Sequence, residues 1–240
     1  MLCVVCVFGA AVHGTLGIGF PMIATPLLAM VTDVRTAVLI LVLPTVTLNL
    51  VNVVQGGGWG KSIAKYWPLA VYGVIGSYLG TRLLILVPPE TFRPLLAGAI
   101  LLYLNAEHLG VGFSWVNSHP RIGMIVFGMG AGLLGGMVNV MLPALVIFAL
   151  EMELEKVVTI QVFNLCFLFG KLTQGLVFFQ AGFFTVEVLK ISLLLVILSV
   201  IVSPLAMSFR HRINEALYKR WLRYLLVGMS VILVGQYVLS

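Results

Sequence analysis

Of the 240 residues, 61% are hydrophobic and 9% charged, far from the roughly 45–50% and 25% of a soluble domain. Mean hydropathy is +1.13, and eight spans of about 20 residues would occupy about two thirds of the chain. The remaining short loops exclude an appended soluble catalytic or nucleic-acid-binding domain, so the sequence predicts an all-α polytopic membrane protein whose function lies in the bilayer. A net charge of +6 from 14 Lys and Arg against 8 Asp and Glu reads as an excess on cytoplasmic loops rather than as a nucleic-acid partner. Cys3, Cys6 and Cys166 lie in apolar runs and read as small core residues, not as a disulfide framework.

In chain order, apolar segments fall at about 2–31, 34–55, 65–87, 91–108, 121–150, 156–180, 184–207 and 215–239. Six have the length of a single span. The first and fifth would reach about 45 Å as unbroken helix, too long for one crossing. Both contain glycine-rich sequence, HGTLGIGFPMIATP at 13–26 and GMGAGLLGGMVNVMLP at 128–143. Placing Pro26 over Pro143 also aligns Gly19 with Gly136, and QGGGW at 55–59 is similar to QAGFF at 180–184. The reading is a duplication: a first membrane repeat at 1–108, a linker at 109–120 and a second repeat at 121–240, each with four segments and a broken first segment. A break in a span survives only where it is buried in protein or lines a wet cavity. Each long segment is then either one broken crossing, which makes the repeats parallel, or a half-membrane hairpin, which makes them inverted. Counting positive residues on the two sides gives nine against four for both topologies, with the loop at 208–220 cytoplasmic in each.

A half-helix that starts after such a break aims free N–H groups and a positive dipole end at mid-membrane, where an anion fits. Gly17, Gly19, Phe20 and Pro21 in the first segment, and Gly135, Gly136 and Asn139 in the fifth, are therefore candidate substrate-binding residues. For Gly76 and Gly80, close helix packing is the preferred reading. Gly130 to Gly135 also spells GxGxxG, but it lies inside an apolar run and not after a strand. On the second segment Thr45, Asn49 and Asn52 share a helical face, and on the sixth Gln161, Asn164, Lys171 and Gln174 form another polar stripe. Lys171 stands out, because a mid-span lysine costs about 2.5–3.5 kcal/mol on the insertion scale and needs compensation. It can bind an anion together with the amide donors of Asn49, Asn52, Asn164 and Gln174, or act as a proton carrier. His13, beside the first break, is a candidate for proton coupling. Tyr66, Trp67, Tyr218, Trp221 and Tyr224 read as interfacial belt residues.

The run GTLGIGFPMIATPLLAM at 14–30, its degenerate second copy at 128–145 and the eight-segment layout resemble the sulfite exporter TauE/SafE family of membrane permeases. The second copy departs from the first, with Met137, Val138 and Asn139 where the first has Phe20, Pro21 and Met22. The resemblance implies secondary transport of small sulfur-containing anions, sulfite or organosulfonates, by a multi-pass protein of the cell inner (cytoplasmic) membrane. The expected partners are a small anionic substrate and the lipid bilayer, with a homo-oligomer left open. No catalytic set, metal site or cofactor is called for, and a passive anion channel is the alternative to a permease.

Overall fold

The computed structural model describes residues 2–16, 19–55, 60, 62–109, 113, 115–208 and 215–238. They are helical, with no strand among them. The helices are α1 (Leu2–Leu16), α2 (Phe20–Ala29), α3 (Val34–Ile40), α4 (Val42–Gln55), α5 (Ile63–Leu86), α6 (Phe92–Leu109), α7 (Trp115–Ser118), α8 (Pro120–Val138), α9 (Leu142–Glu151), α10 (Lys156–Gln180), α11 (Val186–Ser208) and α12 (Glu215–Val238). Among the described residues α5, α8, α10 and α11 are long and apolar enough to cross a bilayer, and α3 with α4 makes a fifth span bent by 46°. Pro44 explains that bend: it has no N–H for the Ile40 carbonyl, and its ring crowds the preceding turn.

The first long segment doubles back on itself. A Cβ placed on Gly9 of α1 would lie 3.4 Å from Ala24 Cβ and 3.2 Å from the Phe20 ring of α2, whereas fifteen residues of straight helix would separate positions 9 and 24 by about 22 Å. Gly19 makes the turn at φ 101°, a left-handed conformation that glycine adopts without a Cβ penalty. Pro21 then sits in the first turn of α2, where a missing N–H is tolerated. The fifth segment folds in the same way. Phe127 of α8 and Phe148 of α9 are 6.2 Å apart between ring centroids, and Asn139 turns the chain at φ 65° with its N–H on the Gly135 carbonyl. Asparagine is the residue other than glycine best suited to that conformation.

The glycine-rich run of the fifth segment is not itself the break, which corrects the expectation for Gly130, Gly132, Gly135 and Gly136. All four lie within continuous α8, and the chain turns only at residues 139–141. Cβ atoms on Gly128, Gly132 and Gly136 would run into the carbonyl oxygens of Leu69, Gly73 and Ser77 on α5. Gly76 and Gly80 face α8 in return, so glycines at four-residue spacing let two parallel helices meet backbone to backbone. Gly14 of α1 approaches the Ser203 carbonyl of α11 in a similar manner. Pro21 and Pro143 are each the second residue of a ten-residue helix.

Arg35, at the start of α3, ties one end of the bundle together. Its Nε and Nη2 donate to the carbonyls of Leu84 (2.8 Å) and Val87 (2.7 Å), which close α5, and its guanidinium lies 5.9 Å from the Phe183 ring centroid beyond α10. Asp33 caps α3 by accepting from the Thr36 N–H at 3.0 Å. At the other end the Glu151 carboxylate accepts the Phe113 N–H at 3.1 Å. Tyr66 is not a belt residue: it is buried, edge-on to Phe148 at 6.2 Å. Trp67 and Tyr224 are exposed, as expected of a belt. One face of α11 leaves Leu193, Ile197 and Ile201 uncovered, which suits acyl chains.

Candidate functional site

Helices α4 and α10 run antiparallel through the middle of the molecule, and their contacts set the register of a polar seam. Gln161 Nε2 donates to the Val53 carbonyl at 2.8 Å, and Asn52 Nδ2 donates to Asn164 Oδ1 at 3.1 Å. About three turns beyond Asn164 on α10, a Cβ on Gly175 would touch Val42 of α4 at 3.1 Å. Each step up one helix therefore matches a step down the other, which brings Thr45 level with Lys171. The faces predicted for the second and sixth segments are thus turned toward each other, and Thr45, Asn49, Gln161, Asn164, Lys171 and Gln174 are buried.

Lys171 is 1% exposed. Its Nζ donates to Gln174 Oε1, while Gln174 Nε2 donates to the carbonyl of Gly136 (2.9 Å) and, more weakly, that of Gly135 (3.4 Å). Gly135 and Gly136 thus reach the seam through carbonyl oxygens, not through the free N–H groups expected of a helix start. Among the residues whose side chains are described, the acidic ones, Asp33, Glu90, Glu151, Glu153, Glu155 and Glu187, stand at helix ends or in connections. Among the described residues Lys171 has the Gln174 amide, and no carboxylate, as its partner. Thr45 Oγ1, buried at the same level, has no hydrogen-bond partner.

On the other side of the seam's centre, Asn52 Nδ2 also contacts His13 Nε2 at 2.8 Å, joining α1 to α4 and α10. Asn49, between the two groups, donates to the Thr45 backbone carbonyl at 2.7 Å. The two folded-back segments meet through Asn139, whose Nδ2 donates to Thr25 Oγ1 at 2.7 Å and whose Oδ1 has no partner. Phe20 and Pro21 are buried in the first turn of α2, and Gly17 lies outside the described residues. Two contributors escaped the sequence reading. Thr25 sits inside the quoted motif but looked like ordinary helix, and Ser77 closes on the Gly170 carbonyl at 2.7 Å, one residue before Lys171.

A buried cation and a seam of side-chain amides make an arrangement suited to a small oxyanion. No metal-binding group of His, Cys, Asp and Glu occurs among the described residues. A family model described as Sulfite exporter TauE/SafE matches residues 2–233, nearly the whole chain. No curated protein and no solved structure matches it. The two folded-back segments and the polar seam thus lie within the matched region, and the chain belongs to the TauE/SafE sulfite exporter family of multi-pass membrane transporters.

Proposed function

We propose that the protein is a secondary transporter that carries sulfite or a small organosulfonate across the cytoplasmic membrane by alternating access, binding the anion along the α4–α10 seam. The observation that carries this reading is Lys171, buried at mid-span with the Gln174 amide, and no described carboxylate, as its partner. A transported anion supplies the counter-charge of the Lys171 ammonium in the loaded state and offsets the cost of burying it. Asn49, Asn52, Asn139, Gln161, Asn164 and Gln174 supply the polar lining, and the starts of α2 and α9 add positive dipole ends.

The two halves act as inverted repeats in this proposal. Residues 20 and 142, 29 and 151, and 33 and 155 bound or cap equivalent helices 122 positions apart. At that same offset Asn49 corresponds to Lys171 and Asn52 to Gln174. The His13–Asn52 contact then mirrors the approach of Gln174 to Gly135. Pairings repeat as well, with α1 beside α11 where α8 lies beside α5. Hairpins at segments one and five leave an odd number of crossings per half, so the halves enter from opposite sides. Nine positive residues, among them Lys65, Arg121, Lys156 and Arg223, then face the cytoplasm, opposite Arg35, Arg82, Arg93 and Lys190. Exchange between two such halves around a central seam gives alternating exposure.

Reconstitution in liposomes tests the reading. Saturable sulfite flux that depends on an imposed ion gradient, without macroscopic current, supports a coupled carrier. Large ohmic currents assign a passive anion channel instead, and no anion movement of any kind removes the proposal.

A further inference from the structure

His13 has a fixed proton position, and the hydrogen-bond network determines it. Asn164 Nδ2 donates to the Ile160 carbonyl at 2.7 Å, so its other terminal atom, Oδ1, is the acceptor. That oxygen receives Asn52 Nδ2 at 3.1 Å, which fixes the orientation of the Asn52 amide. The Asn52 nitrogen, a donor only, lies 2.8 Å from His13 Nε2. His13 Nε2 must therefore offer a lone pair, and the neutral imidazole carries its hydrogen on Nδ1. His13 Nδ1 is buried and has no partner, in a side chain that is 1% exposed.

A buried N–H without an acceptor is costly, and in a transporter of oxyanions an acceptor comes with the cargo. We infer that His13 is a ligand of a second, uncharged anion station, donating Nδ1–H to an oxygen of the substrate. Asn52 holds the ring in this tautomer and acts as a positioning residue. The station lies toward the first hairpin, with Asn164 seven residues from Lys171 on the same face of α10, about 10 Å along the helix. An anion leaving Lys171 along the seam meets donors that bind it without a full charge, so it is held but not trapped. His13 is thus a binding residue in its own right and does not carry the proton. This inference rests on the proposed anion transport, but its first test does not.

Nitrogen-15 NMR of histidine-labelled protein, with the His13 signal identified by its loss in His13→Asn, reports the tautomer directly; the chain holds four histidines. The expected result is a protonated Nδ1 that shifts on addition of sulfite. A protonated Nε2 overturns the inference whether or not sulfite is transported, as does a sulfite-insensitive Nδ1. Flux then separates the roles of the two nitrogens. Asparagine places its amide nitrogen near the position of Nδ1, and glutamine near that of Nε2. His13→Asn is expected to keep sulfite flux within about threefold, while His13→Gln and His13→Ala lose at least tenfold. Equal loss in all three assigns His13 to proton carriage and overturns the inference, and retention only in His13→Gln makes the histidine a structural acceptor for Asn52. Absence of sulfite flux in the unaltered protein, with the Nδ1 tautomer intact, counts against the proposed function and not against the proton assignment.

Discussion

Replacing Lys171 by methionine, a side chain of similar length, removes the ammonium and keeps the packing volume. A hydrogen bond to a charged group contributes about 1.5–3 kcal/mol, and each 1.4 kcal/mol is about tenfold in affinity. The apparent affinity for sulfite should therefore fall by about 10- to 150-fold. Stability should move differently. The insertion scale credits removal of a mid-span lysine with about 2.5–3.5 kcal/mol, while Gln174 Oε1 loses the donor it has in Lys171, a cost of about 1–3 kcal/mol. These oppose each other, so yield and melting temperature in detergent should hold steady or rise slightly. The assay is initial sulfite flux into proteoliposomes over a concentration series, with a thermal melt of the same preparation and Lys171→Arg as the charge-retaining control. Unchanged KM and maximal rate in Lys171→Met would refute the argument, because the buried charge would then have nothing to do with the cargo.

Gly132→Ala should lower the melting temperature and the folded yield, by about 1–3 kcal/mol of overpacking, since the new methyl overlaps the Gly73 carbonyl of α5; a neutral effect would mean that α5 and α8 can part without cost. Thr25→Val combined with Asn139→Ala in a double-mutant cycle should give a coupling of about 0.6 kcal/mol, the average for polar pairs between membrane helices, and zero coupling would remove the tie between the hairpins. For topology, after replacement of Cys3, Cys6 and Cys166, single cysteines at Thr32 and Gly182 should react with an impermeant thiol reagent from outside intact cells, and those at Asn117 and Met152 only after lysis. Thr32 and Met152 reacting from one side, with Asn117 and Gly182 from the other, would sink the hairpin arrangement.

Membrane residence and the two polar stripes are local properties and followed from the sequence, because the cost of burying backbone and charge in hydrocarbon is levied residue by residue. Periodicity put Asn49 and Asn52 on one face and Lys171 and Gln174 on another, and the structure turns those faces together. Tertiary structure alone decided the path of the chain after each break. A glycine permits a turn but does not say which way the next helix goes, and that direction comes from contacts such as Gly9 with Ala24 and Phe127 with Phe148. For the same reason the glycine run of α8 misled: glycines that loosen a backbone in isolation are helical here, since a second backbone on α5 occupies the space their side chains would fill. Nor could spacing assign the proton on His13, which depends on a chain of partners from α1, α4 and α10 that are remote in sequence and adjacent only once the helices have packed.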